Sequence, residues 1–336
     1  MHGHNRTDNK NDGAGGESSP VPFFNALSEE LKAVDYLLAG AIEPGEGDIA
    51  GLVANVRTSG GKMLRPGLLL LSGRIFDQSG ERHIRAAAMV EMVHLATLLH
   101  DDVIDHATRR RGRETINCLY GDKAAVLLGG YVLGKVMALG SAEGMADMSG
   151  EVAAVARKIC DGEMMQNVIS LDHEIGEQNY YNIIASKTAA LFGSACWMGA
   201  FLSGACKKDC NSLRQYGEHF GTAFQIADDI LDVTSSVQKM GKNVGKDIFA
   251  LKPTLPLIHF VQTVADGREL LHTAVYEDDR GRIRDMLSDA GSIEYAYEQA
   301  KMHSDKAVHS LTFIEADQTA MEPLLSLSRF AVNREV

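Results

Sequence analysis

"LLHDDVIDHATRRRG", residues 98–112, sets three aspartates in five positions and follows them at once with three arginines. On a helix, Asp101 and Asp105 are four residues apart and point the same way, with Asp102 about 100° round. Like charges at that spacing repel and weaken an isolated helix, so a compensating cation has to stand beside them. "QIADDILD", residues 225–232, repeats the form with Asp228, Asp229 and Asp232, and no other stretch of the chain does so.

Both motifs lie inside long apolar runs. Apolar residues recur at three- and four-residue spacing through 23–42, 83–105, 124–140, 151–171, 178–205 and 211–236, with shorter runs after Pro253 and only seven prolines in the chain. That periodicity predicts an all-α fold. Several runs are apolar on more than one stripe, so helices surrounded by helices are expected: a single large bundle around a central cavity, without a sheet. Residues 1–22 are polar and Gly-rich and read as a disordered N-terminal tail, which leaves one helical domain over 23–336.

The formal charge of −12 argues against a nucleic-acid partner. No uninterrupted run of about 18 apolar residues appears, so no transmembrane segment is expected. The N-terminus lacks the apolar core of a signal peptide, and a cytoplasmic location follows as the expectation. Cys118, Cys160, Cys196, Cys206 and Cys210 have no paired CxxC spacing and read as reduced thiols, mostly in the core.

A solvated acidic face is the ordinary reading of an Asp–Asp pair. It suits Asp278 and Asp279, where Arg282 follows Asp278 by four residues. The two repeated motifs differ, because their flanks are apolar and offer no counterion within the helix. Oxygen-only ligands in an open arrangement favour Mg²⁺ shared with substrate phosphates over a zinc site or a closed calcium cage. Basic residues supply the other half: Lys62 and Arg65 in "SGGKMLRPG", Arg109, Arg110 and Arg111 after the first motif, Lys187 in "ASKTAAL", and Lys239, Lys242, Lys246 and Lys252. Carboxylates cannot bind diphosphate directly; metal has to bridge them, while cationic side chains take the remaining phosphate oxygens.

With "GGKMLRP", "HLATLLHDDVIDHATRRRG", "GEMMQ", "SKTAALF" and "FQIADDILD" in that order, the chain from about residue 25 onward resembles the polyprenyl diphosphate synthases, the head-to-tail trans-prenyltransferases. The resemblance implies an all-α homodimer that condenses isopentenyl diphosphate onto an allylic diphosphate such as farnesyl or geranylgeranyl diphosphate. It implies Mg²⁺, about three ions per site, held by Asp101, Asp102, Asp105, Asp228, Asp229 and Asp232. Arg110, Lys187, Lys242 and Lys252 would grip the allylic diphosphate. Lys62, Arg65, His94 and Arg111 would bind isopentenyl diphosphate, with Gln166, Thr188 and Gln225 as supporting polar contacts. Two positions depart from the pattern: Gly130 stands where members commonly carry an aspartate, which would remove a supporting carboxylate, and Leu251 where a glycine commonly precedes the lysine.

In this family chain length is implied to follow residue size below the first motif. Thr97 and Ala96 are small, and Val93 and Met92 continue the line, with Met89 below. An isoprene unit of about 5 Å matches one helical turn, so a long product of about six to ten units is expected, destined for quinone side chains and released through a transient membrane contact. The alternatives are a short-chain geranylgeranyl or farnesyl diphosphate synthase, with Ala96 a mere packing residue, or a non-catalytic subunit of a heteromeric synthase.

Overall fold

The computed structural model describes residues 22–41, 63–76, 79–110, 112–169, 176–234 and 251–333. The expected tail up to residue 21, Lys62, Arg111, Lys239, Lys242 and Lys246 lie outside them. A 3₁₀ turn, Pro22–Leu27, leads into α1 (Ser28–Ala41), followed by α2 (Leu64–Arg74) and α3 (Glu81–Ile104). A two-stranded ribbon pairs β1 (Arg109–Arg110) with β2 (Arg113–Glu114). Then come α4 (Ile116–Tyr120), α5 (Asp122–Gly140), α6 (Ala146–Val168) and α7 (Glu177–Ile184). A single π-turn, Ala185–Ala189, joins α7 to α8 (Ala190–Leu202). The chain continues with α9 (Lys207–Thr234), α10 (Leu255–Thr263), α11 (Gly267–Tyr276), α12 (Arg280–Asp289), α13 (Ser292–Leu311) and α14 (Gln318–Val332).

The all-α expectation holds; the short ribbon after the first acidic motif is the one strand pairing among the described residues. α8 is buried on nearly every face, from Ala190 through Leu202, because its sequence has no polar stripe to turn outward. It packs against α2, α3, α6 and α9. α9 spans two apolar clusters. Leu213, Tyr216 and Phe220 belong to the main one, whereas Ile226 and Val233, flanking the second acidic motif, belong to another built with α7, α10 and α13. The motif therefore sits where the two clusters meet. Backbones come very close between α8 and α9: a Cβ on Gly217 would stand 2.5 Å from the Phe192 carbonyl oxygen.

Several expectations need correction. Cys118, Cys160 and Cys206 are exposed, and only Cys196 and Cys210 are buried. Arg282 pairs with Glu277, not Asp278, because Asp278 has a left-handed backbone (φ 55°) and Asp279 caps α12 through the Arg282 N–H. α5 is long and apolar enough, by length and composition, to cross a membrane, since leucine, valine and alanine far outnumber its charges. Its Ala125, Leu128, Val132 and Val136 row is nevertheless buried, and α5 packs against α3.

Gly217→Ala should destabilise the protein by about 1–3 kcal/mol, the usual cost of overpacking where backbone has to move. Denaturant unfolding measures it, and wild-type stability in this variant would show that the α8–α9 contact is not the rigid spine of the fold.

Candidate functional site

The sign reversal after Asp105 has a local cause. α3 ends at Ile104, His106 takes a left-handed backbone (φ 47°), and the chain folds back on the helix end. Ala107 N–H donates to the Asp102 carbonyl at 2.8 Å, and the Asn117 amide donates to the same carbonyl at 3.1 Å. Thr115 Oγ1 donates to the Ala107 carbonyl at 2.6 Å. That return carries β1 beside the aspartates and puts Arg110 Nε 2.9 Å from Asp102 Oδ1. Asp102 is only 6% exposed, so the guanidinium answers a charge that water barely reaches. Asp101 is less fortunate. Burial pushes its carboxyl up to about 6, against the pull of Lys187 and with Glu163 adding to the rise.

The second motif is held from α7 and the π-turn. Tyr180 Oη donates to Asp229 Oδ2 at 2.7 Å, and Gln225 Nε2 donates to Asp229 Oδ1 at 2.9 Å. Burial pushes the Tyr180 phenol well above its ordinary value, so it stays a donor. Thr188 Oγ1 donates to Gln225 Oε1 at 2.9 Å. Lys187 forms an ion pair with Glu163 and donates to Gln166 Oε1 at 2.8 Å. Its backbone lies so close to α6 that a Cβ on Gly162 would stand 2.8 Å from Lys187 N. π-turns are rare and concentrate at functional sites; this one delivers Lys187 and Thr188 to the same side.

Asp105 of the first motif and Asp229 of the second line one cavity of about 150 Å³, together with Gln166, Lys187, Thr188, Gln225 and Lys252. Lys252 Nζ lies 2.8 Å from Asp105 Oδ1, and the residue before it, Leu251, has a left-handed backbone (φ 46°). That is the conformation glycine adopts freely, so the departure from the family pattern costs backbone strain of about 1 kcal/mol.

Arg65 is half-buried with its guanidinium 4.3 Å over the Phe192 ring, one turn beyond Thr188. Asp228 and Asp232 are half-buried on α9, and Arg280 donates to the Asp232 carbonyl. Along α3, the stripe continuing from Asp105 and Asp101 is Leu98, Thr97 and His94, all half-buried, with Thr97 Oγ1 donating to the His94 carbonyl at 2.8 Å. Met92, Val93 and Ala96, expected to line the same path as Thr97, are instead at most 1% exposed within the main core. Ala96 and Thr97 are neighbours in sequence but about 100° apart on the helix. Gly130 faces outward from α5, with nothing within 4 Å of where its Cβ would be.

Sequence reasoning missed two residues. Glu163 sits inside the quoted "GEMMQ", but a helix-forming Glu gives no sign that Lys187 lies opposite. Nothing in the sequence around Tyr180 singles it out, and its partner is 49 residues away.

Among the described residues, no three carboxylate, imidazole or thiol groups converge into a cage that would hold a metal unaided. Asp102 and Asp229 already have oxygens engaged by Arg110, Tyr180 and Gln225. The set is oxygen-rich and open on the cavity side, which fits a hard divalent cation that completes its shell with substrate oxygens.

A sequence model of the polyprenyl synthetase family matches residues 48–290. The octaprenyl diphosphate synthase of Escherichia coli (strain K12) is 34% identical over 284 residues, 83% of this chain and 87% of that protein. The all-trans-nonaprenyl-diphosphate synthase (geranyl-diphosphate specific) of Rhodobacter capsulatus is 30% identical over 318 residues, 92% of this chain and 96% of that protein. Among solved structures, a polyprenyl synthase from Caulobacter crescentus CB15, complexed with calcium and isoprenyl diphosphate, superposes with a TM-score of 0.85 at 30% identity, covering 94% of this chain and 97% of that one.

The raised Asp101 carboxyl gives two linked outcomes. Its folded value of about 6 exceeds the ordinary 3.8, so its contribution to stability is greatest at low pH and is given up as the pH rises from about 4 to 6. A divalent cation needs the ionised form, so its affinity should fall about tenfold per pH unit below pH 6, one proton being displaced. Calorimetric titration with Mg²⁺ across that window checks this; an affinity flat from pH 7 to 5 would remove Asp101 from the ligand set.

Proposed function

Since the chain belongs to the polyprenyl synthetase family and is a prenyltransferase, we propose that it condenses isopentenyl diphosphate head-to-tail onto an allylic diphosphate and extends it to a long all-trans polyprenyl diphosphate, about six to ten units in length. The single observation that carries this reading is the shared cavity: one carboxylate from each acidic motif, with Lys187 and Lys252 between them.

Asp101, Asp105 and Asp228 would hold the metal, which we take to be Mg²⁺, with Asp102 and Asp229 fixing their neighbours from hydrogen-bonded positions. Bound there, the cations would supply the positive charge that neutralises a departing diphosphate and lowers the barrier to C–O ionisation. Lys187 and Lys252 currently rest on Glu163 and Asp105; phosphate oxygens replace those carboxylates as their partners when the allylic diphosphate enters. Gln166, Thr188 and Gln225 supply neutral donors along the same wall. Arg65, fixed over Phe192, serves isopentenyl diphosphate from the far side, together with His94. No protein nucleophile is needed, because the isopentenyl double bond attacks the allylic cation and the released diphosphate accepts the proton.

The elongation path is read along Leu98 and Thr97, half-buried on the stripe that continues from Asp101. The long product is also supported by relatives that make octaprenyl and nonaprenyl diphosphates. Retention of both acidic motifs disfavours a non-catalytic subunit.

We further propose a homodimer. α5 turns Val126, Leu127, Tyr131 and Met137 to the outside, and Gly130 and Gly134 leave open space between them. An apolar row interrupted by glycines suits close packing against the same helix of a second copy. A cytoplasmic location, with a transient membrane contact for product release, completes the reading.

Purified protein incubated with labelled isopentenyl diphosphate, farnesyl diphosphate and Mg²⁺ should form long products by itself. Asp101→Ala and Asp228→Ala should each lower turnover about a hundredfold or more while the far-UV spectrum stays unchanged. Wild-type turnover in either variant would contradict its assignment. Thr97→Phe should shorten the product by several isoprene units on chromatographic sizing; an unchanged length would put the path elsewhere.

A further inference from the structure

The π-turn has two sides. Lys187 and Thr188 face the cavity that holds both acidic motifs, whereas Ala185 and Ala189 line a second cavity of about 430 Å³. Its walls come from α6, α7, α9 and α13, and none of the substrate or metal ligands proposed above contributes to them.

Two lysines and two histidines are among its lining residues: Lys158 of α6, His219 of α9, and His303 and Lys306 of α13. Glu218 is the one carboxylate among the lining residues. In a chain of formal charge −12, this local field runs against the background. His219 Nδ1 and His303 Nδ1 lie 3.3 Å apart, so the neutral pair shares one proton and a doubly charged pair repels itself. Burial, then His219, then Lys306 hold His303 down to about 4. Burial and Lys306 lower His219 as well. Compact Lys and His donors without an arginine fork match the point-charge recognition of phosphate oxygens.

The cavity also touches the catalytic machinery. Tyr181 stacks on His303 at 5.7 Å, and its hydroxyl donates to Gln299 Oε1 at 3.3 Å. Its ring meets that of Tyr180 edge-on at 5.5 Å, and Tyr180 is the donor to Asp229. Thr222 lines this cavity one turn before Gln225, which lines the other.

We infer that this second cavity is a regulatory site for a small phosphate-bearing molecule, held by Lys158, Lys306 and the His219–His303 pair beside the Tyr181 ring. Its occupancy adjusts the π-turn and Tyr180, and through them the placement of Lys187 and Asp229.

The test uses the full-length protein in Mg²⁺-free buffer, where the acidic cleft has no divalent ion to draw phosphate in and its lysines rest on carboxylates. Histidine side-chain NMR is followed during titration with inorganic phosphate. The titration midpoints of His219 and His303 should rise by about one pH unit and saturate, because a bound anion favours the imidazolium. Lys306→Gln, an exposed position that leaves the fold intact by circular dichroism, should weaken phosphate binding about tenfold or more. In the Mg²⁺-dependent turnover assay, phosphate should change kcat about twofold or more in the wild type and not in Lys306→Gln. Histidine midpoints unmoved by phosphate, or equal phosphate affinity in Lys306→Gln, would overturn the site. An identical kcat response in the two proteins would overturn its link to catalysis. The NMR titration stands whether or not the prenyl transfer reading is correct.

Discussion

Carboxylates from two helices meet at one cleft, with Asp102 and Asp229 almost shut off from water, and much of the surrounding structure answers their repulsion. Asp102 is met by Arg110, Asp105 by Lys252, and Asp229 by the hydroxyl of Tyr180 and the amide of Gln225. Asp101 feels Lys187 and Arg110 only through their charge, and its carboxyl is the one driven up to about 6. The result is a site whose cations already rest on carboxylates. Divalent ions held by the aspartates would leave Lys187 and Lys252 to phosphate oxygens, which would couple metal and substrate binding through electrostatics.

Holding these groups in place falls to a rigid interior. α8 is buried on nearly every face, and the π-turn at its start hangs from that fixed element. Gly162 permits α6 to touch the turn's backbone, which brings Glu163 and Gln166 to Lys187. α9 ties the two apolar clusters together with its acidic motif at their junction. The chemistry therefore sits at the boundary of two packed regions, where polar groups from several helices meet without breaking either core.

Much of this was legible in the sequence. The three- and four-residue periodicity gives the helices, and the repeated Asp–Asp–x–x–Asp spacing gives both halves of the acidic site, because each is a property of a single helix. What the sequence could not convey depends on pairs far apart along the chain. Glu163 and Tyr180 matter through Lys187 and Asp229, 24 and 49 residues away, and periodicity says nothing about which helix stands opposite. Adjacent residues also part company: Thr97 and Ala96 were read as one lining, yet a 100° step leaves one half-buried and the other in the core. Gly130, where a supporting carboxylate is missing, lies on the outward side of α5.

The central claim is that both acidic helices hold one set of divalent ions against one diphosphate. The most direct measurement is the affinity of a non-ionisable allylic diphosphate analogue with and without Mg²⁺, in the wild type, Asp101→Ala and Asp228→Ala. The account predicts that Mg²⁺ tightens binding roughly a hundredfold in the wild type and that either substitution alone abolishes most of that gain. Full Mg²⁺ enhancement in either variant would contradict it, because one helix would then suffice to hold the metal.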